Sequence, residues 1–165
     1  MAESRSPLLS EIRQRQPFHS LSAEVAVGIL RTAAVLQRHY NRVVNQRGIT
    51  IQQYNVLRIL RGAGTKGLAT LVIRNRMIHA TPGITRLIDN LEQAELVRRE
   101  RQEADRRQVL CYITDKGLSL LADLDSEVAK ADHAAVFMLT TEEQRLLATL
   151  LDAVRAGHAQ AKEDG

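Results

Sequence analysis

A chain of 165 residues with 44% hydrophobic content is long enough for one domain with a real core, and too apolar to be disordered along most of its length. Aromatic residues make up only 3% and tryptophan is absent, so the core is expected to be aliphatic and mostly helical. A single cysteine excludes an internal disulfide and every multi-cysteine zinc pattern, and the net charge of +4 hides a division at Thr114, with 18 Lys and Arg against 9 Asp and Glu up to that residue and 5 against 10 after it. The positive part is almost all arginine, whose planar fork suits phosphates and guanine edges. No stretch has the character of a signal peptide or a membrane span, so a soluble, cytoplasmic protein with no membrane partner is expected.

Residues 1–20, with Pro7 and Pro17 in an Arg/Gln/Ser mixture, show no sustained period and read as a partly disordered arm. From Leu21 to about Gln46, Ile29, Ala33, Leu36, Tyr40 and Val43 follow the helical period, which predicts a helix about 38 Å long. Gly48 closes it. Thr50 can cap a second helix whose buried face is Tyr54, Leu57 and Leu60. GAGTKG, residues 62–67, lacks the Gly-Lys-Ser/Thr order of a phosphate loop and follows no strand, so it reads as a connector. A short third helix is predicted over Leu68–Arg76. The fourth, Pro82 to about Gln93, carries Ile84, Leu87, Ile88 and Leu91 at the amphipathic spacing. Its opposite face presents Pro82, Arg86, Asp89 and Gln93, flanked by Thr85 and Asn90, with Thr81 or Ala80 as the boundary residue. Leu96–Arg101 and Gln108–Ile113 then read as a β-hairpin with a polar tip, Val109, Cys111 and Ile113 alternating inward. Thr114 can cap a fifth helix with the stripe Leu121, Leu124, Val128, Ala131 and Ala135. Thr140 and Glu143 form a capping box before a sixth, whose stripe is Leu146, Leu147, Leu150, Leu151 and Val154.

Three short helices followed by a hairpin make a winged helix-turn-helix, and both exposed parts carry groups that read DNA. The fourth helix can enter a major groove with Thr85, Arg86 and Asn90 near base edges, while the hairpin tip reaches the adjacent minor groove. An arginine is favoured in a narrow minor groove by its negative potential, and Asp105 stands where it can orient the guanidinium of Arg107. Arg98, Arg99 and Arg101 on the incoming strand can neutralise phosphates. The candidate contacts are therefore Thr81, Pro82, Gly83, Thr85, Arg86 and Asn90 at the helix, and Arg99, Arg101, Asp105, Arg106 and Arg107 on the wing.

ITRLIDNLEQAELV, then DRRQVLCYIT and Gly117, resembles the recognition helix, wing and following helix of the MarR family of bacterial transcription regulators, and ITIQQYNVLRIL resembles that family's second helix. The resemblance runs from about Leu21 to Val154. It implies a mainly α fold: a winged helix-turn-helix lobe over 50–114 with a two-stranded β wing, a helical dimerisation region from 21–46 and 115–156, and a tail over 157–165. It further implies a homodimer on double-stranded DNA at a palindromic operator, repressing transcription under the control of a small-molecule effector. Two departures stand out: Glu95 replaces the family's usual Gly before Leu-Val, and Val72 and Arg74 stand where an acidic and a small residue are expected.

Other residues have plainer readings. Cys111 is a small core residue rather than a redox sensor, and Tyr40 and Tyr54 are core before they are ligand contacts. The five histidines show no paired ligand spacing, and Asp123, Asp125, Asp132 and His133 read as a solvated face rather than a metal site. No nucleophile elbow, catalytic triad or dinucleotide loop is present, so neither an enzyme nor a cofactor is expected. Two rival readings stay open: a DNA-binding protein of this fold without effector control, and a winged module whose arginines meet an acidic protein.

Overall fold

The computed structural model describes residues 6–79, 82–101 and 109–163, with side chains described as far as residue 157. Among these residues the elements are seven α-helices and a three-stranded antiparallel sheet: α1 Pro7–Glu11, α2 Leu21–Asn45, α3 Ile51–Ala63, β1 Leu68–Ala69, α4 Thr70–Arg76, α5 Ile84–Gln93, β2 Val97–Arg101, β3 Val109–Ile113, α6 Asp115–Val136 and α7 Thr141–Glu163. The chain forms two compact units, 1–124 and 125–165, so the division falls within α6. No helix among the described residues is long and apolar enough to cross a membrane.

In the first unit α3 is the central element, touching α2, α4, α5 and β3. Its Val56, Leu57 and Leu60 are fully buried, at about 1.5–3 kcal/mol for each such side chain removed from water. A capping box starts it: the Thr50 hydroxyl accepts from the Gln53 N–H at 3.2 Å, and the Gln53 side chain accepts from the Thr50 N–H at 2.9 Å. The α3 helix continues through Ala63, and a single 3-10 turn, Gly64–Lys66, completes the connector.

The sheet has the order β1-β3-β2, so the expected two-stranded wing gains a third strand. Leu68 and Ala69 pair with Cys111 and Leu110, and the helix predicted to begin at Leu68 starts at Thr70 instead. The sheet's outer face is partly covered by its own side chains. Tyr112 lies with Arg98 stacked over its ring at 4.4 Å, and a Cβ on Gly67 would come within 2.5 Å of that same ring. Gly67 also has φ +60°, which an L side chain resists, so glycine is required there twice over.

Part of the arm is ordered. Pro7–Glu11 forms a short helix with Leu9 buried, Glu11 pairs with Arg31 of α2 at 2.8 Å, and Leu8 reaches the open side of Gly28. On α2 itself Val44 is buried, while Ala33 lies exposed and Ile29, Leu36, Tyr40 and Val43 are half-covered. At the start of α6, Thr114 accepts from the Gly117 N–H at 3.1 Å and donates to the Glu95 carbonyl at 2.7 Å. Gly117 fits beneath that carbonyl segment only because it has no Cβ, which would stand 2.5 Å from the Leu96 oxygen.

In the second unit the capping box at Thr140 and Glu143 is formed, with the Thr140 N–H on Glu143 at 2.8 Å and the Glu143 N–H on the hydroxyl at 3.3 Å. Donation from the Thr140 backbone, then from its hydroxyl, holds the Glu143 carboxyl below its ordinary range. Along α7 the apolar residues Leu146, Leu147, Leu150 and Val154 are exposed in the single chain, Leu146 by 58% and Leu150 by 54%.

Candidate nucleic-acid interface

The α5 helix is held by one side and open on the other. Ile84, Ile88 and Leu91 are buried and Leu87 is half-buried, whereas Thr85, Arg86, Asn90 and Gln93 are exposed. The stripe read from the sequence thus fixes the rotation of the helix, and with it the face that a duplex can meet. Its start differs from expectation. Gly83, at φ +79°, is the N-cap, and the first helical residue is Ile84 rather than Pro82. The left-handed backbone at Gly83 breaks the helical run, which places Pro82 and Gly83 as exposed turn residues just before α5. Thr81 and Ala80 lie outside the described residues. The preceding turn is tied back to α3, because the Asn55 side chain accepts from the Ile78 N–H at 2.9 Å.

The far end of α5 closes tightly. The Leu96 N–H reaches the Leu91 carbonyl and the Glu95 N–H that of Glu92, both at 2.9 Å, with Glu95 itself at φ +61°. This is the left-handed closure usually made with glycine, here carried by a glutamate. Lys116 lies 2.9 Å from its carboxylate, and that hydrogen bond and charge hold the Glu95 carboxyl below its usual range.

The three arginines of β2 take three different roles. Arg98 stacks on Tyr112 and pairs with Glu100. Arg99 turns toward α5, 24% exposed: its guanidinium lies 2.6 Å from Asp89 and 3.2 Å from Glu92 and donates to the Thr85 carbonyl at 3.4 Å, while its backbone N–H donates to Glu92 at 3.1 Å. Burial by itself draws the Arg99 pKa down. Asp89, then Glu92 and a hydrogen bond to Cys111, outweigh it, and the guanidinium is held above its ordinary value. Arg101 is exposed at the end of the strand, and Asp105, Arg106 and Arg107 lie outside the described residues.

The structure therefore brings Pro82, Gly83, Thr85, Arg86 and Asn90 to one exposed surface at and before α5. Arg99 it places between α5 and the wing instead of outward. Two further exposed arginines, Arg74 and Arg76, close α4, and neither forms an ion pair among the described residues. Cys111 is fully buried, its Sγ 3.9 Å from the Thr70 hydroxyl, and Tyr54 is a core residue with Arg58 over its ring at 5.9 Å. The partners of Arg99 were not evident from residue types alone. A signal existed in the two-residue period of β2, which sets Arg99 on the same face as the buried Val97.

Comparison with known proteins identifies the family. The family model described as "Transcriptional regulator SarA/Rot" matches residues 38–124. The HTH-type transcriptional regulator FarR of Neisseria gonorrhoeae is 30% identical over 82% of this chain and 91% of its own. The crystal structure of a MarR transcription factor from Planctomyces limnophilus is 36% identical, covering 82% of this chain and 98% of that one with a TM-score of 0.64. NadR, solved in complex with 4-hydroxyphenylacetate, is 28% identical over 84% of this chain and 97% of its own, at a TM-score of 0.67. The chain belongs to the MarR/SarA family of winged-helix transcriptional regulators, and it is a DNA-binding regulator rather than an enzyme.

Proposed function

We propose that the protein acts in the cytoplasm as a homodimer that binds a palindromic operator, represses transcription from it, and releases or holds it according to a small-molecule effector. The observation that carries this reading is the exposed face of α5, where Thr85, Arg86 and Asn90 lie opposite the stripe of Ile84, Ile88 and Leu91 that the lobe buries. Arg86 can form the forked contact with a guanine edge, and Asn90 the paired contact with adenine. Pro82 and Gly83 bring the chain to the groove ahead of them, and Thr81 precedes both in sequence. Arg101 leads into the tip, where Asp105, Arg106 and Arg107 are assigned to the minor groove and its phosphates on their sequence alone.

The dimer is supported by α7, whose uncovered leucines on one face need an apolar partner. A two-fold pair sets two α5 helices on half-sites about 34–36 Å apart. The effector is supported by NadR, which is similar to this chain and was solved with an aromatic acid bound. Such a ligand acts by preferring one lobe spacing over another.

Selection of bound sites from random duplex DNA tests the reading directly, followed by titration with aromatic acids. A palindrome preferred over random duplex, with affinity falling steeply as salt rises, is expected. Arg86→Ala should cost about 1–3 kcal/mol on the selected site and relax the preference at one base pair per half-site, with thermal stability unchanged. Equal binding of palindrome and random DNA by the parent protein would overturn the reading.

A further inference from the structure

Arg99 occupies a position in which an exposed phosphate contact and an internal strut are both chemically reasonable, and the two differ in what they do for DNA recognition. Its side chain spans the length of α5. It meets Thr85 in the first turn, Asp89 in the middle and Glu92 in the last, and its backbone N–H is itself fixed on Glu92. Opposite it in the sheet register stands Cys111 of β3, the central strand. One planar, five-donor group thus joins three turns of the reading helix to both strands of the wing, which a single ammonium on a flexible stem cannot do.

We propose that Arg99 is a positioning residue that fixes the wing relative to α5, so that the two DNA-reading parts reach their grooves as one body. The proposal rests on α5 reading the operator. With all its recorded partners inside the lobe, Arg99 contributes to sequence discrimination by holding Thr85, Arg86 and Asn90 in register with the wing. It neutralises no phosphate. Asp89, although on the polar side of α5, is then committed to Arg99 rather than to a base edge.

Operator and random-duplex affinities, measured across a salt series for the full-length protein, for Arg99→Gln, for Asp89→Asn and for the double variant, test this. The parent must first prefer the operator; if it does not, the reading of α5 fails and this proposal goes with it. Given that preference, each single variant is expected to lose operator affinity on the order of tenfold, with random-duplex affinity and the slope of log affinity against log salt unchanged. The double variant should lose little beyond either single one, since both remove the same connection. A slope smaller by about one, with equal losses on operator and random DNA, would make Arg99 a phosphate ligand and overturn the proposal. Additive losses, or no loss at all, would overturn it too. Asp89→Asn, half-exposed and nearly isosteric, keeps the test usable if Arg99→Gln folds poorly.

Discussion

In the lobe, Leu57, Leu60, Ile73 and Leu91 are all but removed from solvent, whereas Leu146, Leu147, Leu150 and Val154 stand open along α7. Both sets follow the helical period, and nothing in residue type separates them. The difference lies in what surrounds them: α3 has neighbours on several sides within its unit, while the apolar face of α7, about 100° wide, is uncovered in the single chain. The lobe buries its apolar face within itself, and the proposed dimer is what would cover the face of α7. In the proposed dimer, specific DNA reading depends on both, since two modest half-site contacts become a strong one only when they are linked.

The sharpest way to break that contrast is Leu150→Asp. A charge in the middle of the α7 stripe should leave the lobe folded and turn a dimer into monomers in sedimentation equilibrium, with operator affinity falling on the order of a hundredfold or more. A variant that stays dimeric would show that the clasp lies elsewhere. Leu57→Ala attacks the other region. It should cost about 2–5 kcal/mol in urea melts at fixed protein concentration, because α3 has no room to close a cavity at a fully buried site. A loss well below this range would mean the lobe repacks and is less complete than its burial implies. Glu95→Gly gives the smallest effect and the opposite sign. Relieving a left-handed glutamate should raise the melting temperature by a few degrees, since the exposed pair with Lys116 returns little. That pair stabilises above the ordinary carboxylate range and is lost as pH falls through the lowered Glu95 value, so the advantage of glycine should grow in acid.

Much of this molecule is legible in its sequence wherever structure is local and periodic. The stripe of α5, the buried face of α3, the core face of α6 through Leu121, Leu124, Val128 and Ala131, and the Thr140–Glu143 box all follow from spacing and cap chemistry, and the hydrogen bonds and burial agree. Short or non-local features escape. The α1 helix has five residues, fewer than two turns, so no period can announce it. The two residues of β1 acquire strand character only by pairing with Leu110 and Cys111, far along the chain. At the start of α5 a proline suited to a first helical turn predicts a helix from Pro82, and a left-handed backbone at Gly83 delays it to Ile84. Within the candidate site, Thr85, Arg86 and Asn90 were readable because a buried stripe dictates its opposite face. Arg99 was only partly readable: alternation along β2 sets it on the face of Val97, but its acidic partners on α5 come from tertiary packing that spacing does not show.

The contact between Gly67 and the Tyr112 ring has a consequence for descent. These positions lie on either side of α5 in the chain, yet they are linked: a side chain at 67 would need a smaller group at 112 and would still meet a left-handed backbone. Homologous chains of this backbone are therefore expected to keep glycine wherever the aromatic stands and to vary the ring without freeing position 67, while the exposed positions between them diverge to suit different promoters.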